Sequence, residues 1–235
     1  MEDYGYIREN IQNIESKIEA AAKKSGRKRQ DILLLAVTKT LPPEKMRAAL
    51  ESGINSFGEN KVQELMNKYG SFAGDGVSWH LIGHLQTNKV KYIIDKADMI
   101  HSVDSVRLSA EINKRAKDRG IISDILVEVN IAGEDTKFGV SPGMVFEMLS
   151  EIKDYENIRI RGLMTVAPFV ENGEENRGYF RQMKQLLVDI NGKKLNNIDM
   201  DILSMGMTGD YETAIEEGAN IVRVGTGIFG ARNYN

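Results

Sequence analysis

Ile7, Ile11, Ile14, Ile18 and Ala21 recur at spacings of three and four, which predicts one amphipathic helix over residues 3–24. Beyond it the pattern changes, and short β-rich runs alternate with helical periodicity. The runs at 32–38, 54–57, 78–82, 98–103, 124–129, 158–166, 200–204 and 221–224 read as strands. Helical patterns at 43–51, 60–69, 87–95, 105–118, 142–152, 174–190 and 209–217 lie between them. Such interleaving predicts a parallel sheet made of βα units, closed as a TIM-type (β/α)8 barrel. These barrels usually run to about 250 residues, so a chain of 235 makes a compact one. Little chain follows the eighth strand, and the helix at 3–24 is expected to cover the place of a full eighth helix. With no low-complexity linker and no composition shift, residues 1–235 read as a single domain.

The rival is an open doubly wound sheet. Its best support is Gly225-Thr226-Gly227-Ile228-Phe229-Gly230, which matches G-x-G-x-x-G. That fingerprint needs a following helix, a second strand and an acidic residue about 20 positions on. Only five residues follow Gly230, so the dinucleotide reading fails on context.

A hydrophobic content of 41% is enough to bury a full core. Net charge is −3 with the signs mixed throughout, so nothing global points to nucleic acid or membrane. The absence of cysteine removes disulfides, thiolate metal sites and cysteine nucleophiles. Met1-Glu2-Asp3-Tyr4 opens acidic with no apolar signal segment behind it, and a cytoplasmic location is expected. No apolar stretch approaches the length of a membrane span. His80, His84 and His101 lack metal-ligand spacing, and no metal is expected. His80 reads as a satisfied core histidine. The cluster Lys23, Lys24, Arg27, Lys28 and Arg29 reads as cations at a helix C-terminus followed by a solvated turn.

Candidate chemistry gathers at the predicted strand ends. Lys39 closes the run Ile32-Leu33-Leu34-Leu35-Ala36-Val37-Thr38 and precedes Thr40-Leu41-Pro42-Pro43. Two readings are open for it. Its stem packs while its ammonium reaches water, or a partly desolvated amine acts as a nucleophile toward a carbonyl. In such barrels phosphates favour the loops after strands seven and eight. Here these are Ser204-Met205-Gly206-Met207-Thr208-Gly209 and Gly225-Thr226-Gly227, rich in glycine and hydroxyls. Each is also readable as a tight turn, with Thr208 capping the next helix. Arg223 points by strand alternation into the barrel mouth, toward either Glu128 or a ligand acceptor. Asn60 reads from local sequence as a helix cap, and Asp104 likewise. Ala132-Gly133-Glu134-Asp135-Thr136-Lys137 reads as a mobile loop over the mouth.

Taken together, several segments resemble the pyridoxal phosphate homeostasis proteins, single-domain relatives of the N-terminal barrel of alanine racemase. They are Ala36-Val37-Thr38-Lys39, Phe57-Gly58-Glu59-Asn60-Lys61-Val62-Gln63-Glu64, Trp79 through Lys89, Arg161-Gly162-Leu163-Met164, Ser204-Met205-Gly206-Met207 and Val222-Arg223-Val224-Gly225-Thr226. The similarity runs from about residue 7 to 233. It implies a fold-type III barrel that holds pyridoxal 5'-phosphate (PLP) as an internal aldimine on Lys39. It further implies that Ser204, Met205, Gly225 and Thr226 hold the phosphate, largely through backbone N–H groups. Arg223 would face the pyridine nitrogen, and Asn60 would lie near the ring. Arginine donates hydrogen bonds and cannot accept them, so a ring nitrogen facing Arg223 stays unprotonated and the ring is a weaker electron sink.

Three functions compete on these residues. One is a PLP-binding homeostasis protein without robust turnover, with no catalytic residues and with PLP-requiring apo-enzymes as partners. Another is a PLP-dependent amino-acid racemase or related fold-type III enzyme, which would need the further β domain that supplies a tyrosine base and builds the dimer. The third is a sugar-phosphate isomerase without PLP, which would need a second acid or base at a strand end. The first is the expected function, and a monomer is the expected state.

Overall fold

Eight short parallel strands close on one another in chain order, and the first pairs with the last. The computed structural model describes residues 4–195, 198 and 200–231. The strands are β1 (Leu33–Val37), β2 (Ser56–Glu59), β3 (Ser78–Leu81), β4 (Met99–Val103), β5 (Ser123–Glu128), β6 (Ile158–Met164), β7 (Ile202–Ser204) and β8 (Ile221–Val224). The helices are α1 (Gly5–Lys24), α2 (Pro43–Glu51), α3 (Val62–Tyr69), α4 (Val90–Ile93), α5 (Val106–Arg119), α6 (Val145–Ile152), α7 (Arg177–Gly192), α8 (Tyr211–Glu216) and α9 (Thr226–Phe229). The expected TIM-type barrel is therefore the fold. The clearest boundary differences fall at β2, two residues later than the pattern predicted, and at 87–95, which splits into a 3-10 turn and a single α-helical turn.

Strand alternation sorts the core into two shells. Leu35, Met99, Leu126, Met164, Ile202 and Ile221 fill the barrel interior, while the alternate residues, such as Leu34, Phe57, Trp79 and Leu203, pack outward under the helices. The β1–β8 seam sets Leu35 opposite Arg223, so that arginine faces the interior just above Ile221.

Helix α1 docks where a full eighth helix would lie, against α8, α9 and α2. Ile7, Ile11, Ile14 and Ile18 are all buried, each worth roughly 1.5–3 kcal/mol relative to exposure. Asn10 Nδ2 donates to the Ile228 carbonyl at 2.9 Å. In the basic cluster at the end of α1, Lys23, Lys24 and Lys28 are exposed, whereas Arg27 and Arg29 are docked. Arg27 donates to the carbonyls of Ala219 (2.8 Å) and Ile215, satisfying acceptors at the end of α8. Arg29 pairs with Glu15.

Three predicted caps are not the ones used. The residue preceding α3 is Lys61, without a side-chain cap, so Asn60 does not serve there. Ser105, not Asp104, caps α5 by accepting from the Leu108 N–H at 3.3 Å. Thr208 accepts from the Gly227 N–H at 3.3 Å, bridging two loops, and α8 starts only at Tyr211. Among the described residues no helix is long and apolar enough to cross a membrane.

Candidate functional site

Lys39 is the second residue beyond β1, and by alternation it lies on the interior side with Leu35 and Val37. Its neighbours are pinned from outside the barrel. The Thr38 hydroxyl donates to Glu59 Oε1 at 2.6 Å. The Thr40 N–H donates to Glu64 Oε2 at 2.5 Å, and Thr40 holds a left-handed φ of 63°, an uncommon conformation for a residue with a Cβ. Lys68, itself buried, donates to the Thr38 carbonyl and to Glu59 Oε1, both at 2.7 Å. The backbone on both sides of Lys39 is thus fixed by side chains from β2 and α3.

Lys39 lines a cavity of about 220 Å³ at the C-terminal ends of the strands. Arg223, Gly225 and Thr226 form part of its wall, with Met207–Asp210 from the β7–α8 loop. Pro168, Phe169 and Val170 complete the rim, where the Phe169 side chain is 94% exposed. Lys39, Arg223, Gly225 and Thr226, singled out from sequence, are therefore brought together at one cavity.

The other three are placed elsewhere. Met205 does not line this cavity. Its side chain is buried in the outer shell, and its N–H is committed to the Ile221 carbonyl at 3.1 Å. It has no backbone donor left for an anion. The strand geometry runs one residue past Ser204, so the loop backbone open to the cavity starts later, at Met207–Thr208–Gly209. Ser204 is fully buried, and its hydroxyl accepts from Arg223 Nη1 at 2.7 Å. Asn60 borders a neighbouring cleft of about 530 Å³ with Lys61, His84, Gln86, Lys89 and Tyr92. Its Oδ1 is buried with no hydrogen-bond partner among the described residues. A Cβ on Gly83 would fall 2.4 Å from the Asn60 carbonyl oxygen, so that glycine is what lets the β3 end approach Asn60.

Arg223 is almost wholly buried, and Nη2 donates to the Thr165 carbonyl at 2.7 Å. Burial lowers its pKa to about 10, with Asp210 and Glu128 opposing, and it stays charged at neutral pH. The anticipated Glu128 partner makes no direct ion pair with it among the described contacts. Glu128 Oε2 is buried without a hydrogen-bond partner, and burial together with repulsion from Asp104 pushes the carboxyl up to about 7.

Sequence reasoning missed a polar thread through the barrel. Ser78 Oγ and His80 Nε2 are 3.2 Å apart, His80 Nδ1 and His101 Nε2 2.8 Å, and His101 Nδ1 and Ser204 Oγ 3.0 Å. The available signal was alternation, which puts Ser78, His80, Met99 and His101 on one side of β3 and β4. Hydrogen bonds from Asn130 tie back the loop at 132–137. Asn130 Nδ2 donates to the carbonyls of Glu134 (2.9 Å) and Lys137 (3.3 Å), and Phe138 stacks on His84 with centroids 4.0 Å apart.

Residues 4–233 match the alanine racemase N-terminal domain. The pyridoxal phosphate homeostasis protein of Aquifex aeolicus (strain VF5) is 42% identical over 96% of this chain and 98% of its own length. The chain belongs to the pyridoxal phosphate homeostasis protein family. Among solved structures, a protein of Bifidobacterium adolescentis superposes with a TM-score of 0.90 at 34% identity, covering 97% of each chain. PipY of Synechococcus elongatus PCC7942, solved with PLP bound, gives 0.84 at 29% identity over 95% of this chain and 100% of its own. This family assignment agrees with the closed eight-stranded barrel.

Proposed function

We propose that the cavity at Lys39 holds PLP and that the protein serves PLP homeostasis, keeping the cofactor and passing it to PLP-requiring apo-enzymes. The observation that carries this reading is the convergence of one amine, one buried guanidinium and two loop backbones on a single small cavity. Bound PLP supplies an aldehyde and an electron-accepting ring. Lys39 would be the amine that bonds the aldehyde. Gly225 and Thr226 would hold the phosphate together with Thr208 and Gly209, in the place expected of Ser204 and Met205. Ser204 acts instead through Arg223, and Asn60 borders the site from the neighbouring cleft.

Arg223 would present donors only to the pyridine nitrogen, which would leave that nitrogen unprotonated. A ring in that state stabilises carbanions poorly, which favours a carrier over an enzyme with robust turnover. The reading also takes the protein to act in the cytoplasm as a monomer. The test is to add PLP to the purified protein, reduce with borohydride and map the modified residue. Modification at Lys39, lost in Lys39→Ala, together with reactivation of an apo-enzyme by the loaded protein, is the expected result. Labelling at another lysine, or no uptake, would reject it.

A further inference from the structure

The order of hydrogen bonds inside the barrel follows from one fact about arginine. Its guanidinium has five donors and no acceptor, so at the 2.7 Å contact Arg223 Nη1 donates and Ser204 Oγ accepts. The Ser204 hydroxyl has one further neighbour among the described residues, His101 Nδ1 at 3.0 Å. If His101 donated there, the buried hydroxyl proton of Ser204 would have no acceptor. Such a loss costs on the order of 1–3 kcal/mol. Ser204 therefore donates, and His101 Nδ1 accepts.

The rest is forced in turn. His101 is fully buried, and burial, the neighbouring His80 and Arg223 all hold its pKa well below the usual imidazole range. A neutral ring that accepts at Nδ1 carries its proton on Nε2. That proton points at His80 Nδ1, 2.8 Å away, which must accept. His80 is buried, its pKa is lowered to about 4, and its own proton sits on Nε2. It donates to Ser78 Oγ at 3.2 Å. The partners come from β8, β7, β4 and β3, so the thread crosses the barrel interior.

We propose that the one-way chain from Arg223 through Ser204, His101 and His80 to Ser78 positions the Arg223 guanidinium toward the cavity, with both imidazoles neutral and protonated at Nε2. His101 is a positioning residue in this scheme and touches no ligand. With Nη1 held by Ser204 and Nη2 by the Thr165 carbonyl, the plane of the guanidinium is fixed from two sides. The chain's effect on a ligand rests on the PLP reading above; its tautomers do not.

Two measurements separate these points. Nitrogen-15 NMR of the histidine rings in the ligand-free protein should give neutral Nε2–H tautomers for His80 and His101 between about pH 6 and 8. A proton on His101 Nδ1, or a charged ring, would overturn the chain. The ligand arm uses two amides of similar polarity. His101→Asn keeps an acceptor near the Nδ1 position, whereas His101→Gln keeps only a group near Nε2. PLP affinity should stay near wild type in His101→Asn and fall roughly tenfold in His101→Gln, the cost of one lost hydrogen bond to a charged donor chain. Equal affinities in the two variants would reject positioning. If wild type takes up no PLP, the cofactor reading falls, and the ring tautomers still decide the chain.

Discussion

The Thr38 hydroxyl donates to Glu59 Oε1 across 2.6 Å, tying the end of β1 to the end of β2 one residue before Lys39. Lys68 Nζ bonds the same oxygen at 2.7 Å and lies 3.6 Å from Glu64 Oε2. Glu59 is fully buried, and burial raises its pKa while Lys68 and Thr38 oppose the rise. A buried carboxylate whose cation is removed is left uncompensated, a loss of about 3–5 kcal/mol. Lys68→Met should therefore destabilise the protein by roughly that amount, as read by urea denaturation at pH 7. The double variant Lys68→Met with Glu59→Gln should recover a large part. A single variant as stable as wild type would show that this pair does not hold the strand ends.

Glu128 gives a pH-dependent prediction. Its folded pKa of about 7 lies above the ordinary 4.5, so the folded protein prefers the carboxyl protonated. The associated stability is fully present below about pH 4.5 and is lost as pH rises through about 7. Glu128→Gln keeps the shape without the charge. In the ligand-free protein it should be more stable than wild type at pH 8, by at most about 3 kcal/mol. The difference should fade on acidification toward pH 4.5. A gap that is constant with pH would mean that Glu128 does not titrate in this range.

At Gly162 in β6 the wall of the barrel admits no side chain. A Cβ on Gly162 would lie 1.9 Å from the Ile202 carbonyl oxygen, which is backbone and cannot rotate away. Gly162→Ala should push β6 from β7 and cost about 1–3 kcal/mol. Because β7 ends at Ser204, the same variant should loosen the hold on Arg223 and weaken PLP uptake. A melting temperature unchanged by Gly162→Ala would contradict the close approach.

The fold was legible because periodicity and side-chain alternation are local. The stripe on α1 and the apolar runs named all the strands, and alternation put Arg223 inside. The parts of the site that depend on how strands stagger were less legible. Ser204 ends β7 and the ladder continues through the Met205 N–H, a fact of register that one strand cannot reveal. Asn60 looked like a cap because asparagine before a helix commonly is one. The helix instead starts after Lys61, and Asn60 packs its backbone against Gly83. The His80–His101 contact spans two strands, and the pairing that brings them together is absent from either segment read alone.

The last prediction concerns turnover. Moving a proton at an amino-acid α-carbon demands an electron sink and an acid–base group within reach on each face of the reacting centre. In the proposed site Arg223 would offer the ring nitrogen donors only, which would weaken the sink. Lys39 can serve one face. Among the described residues that line its cavity, Asp210 is the other ionisable side chain besides Arg223, and its oxygens are already engaged. Oδ1 accepts from the Met207 N–H at 2.6 Å and Oδ2 from Asn176 Nδ2 at 2.8 Å. A base so committed is poorly placed to shuttle protons. Incubating the PLP-loaded protein with L-alanine or L-serine in deuterium oxide should therefore give little racemisation and slow deuterium wash-in at the α-carbon. Saturable racemisation near the roughly 10 per second common among enzymes, abolished by Lys39→Ala, would replace the carrier reading with an enzymatic one.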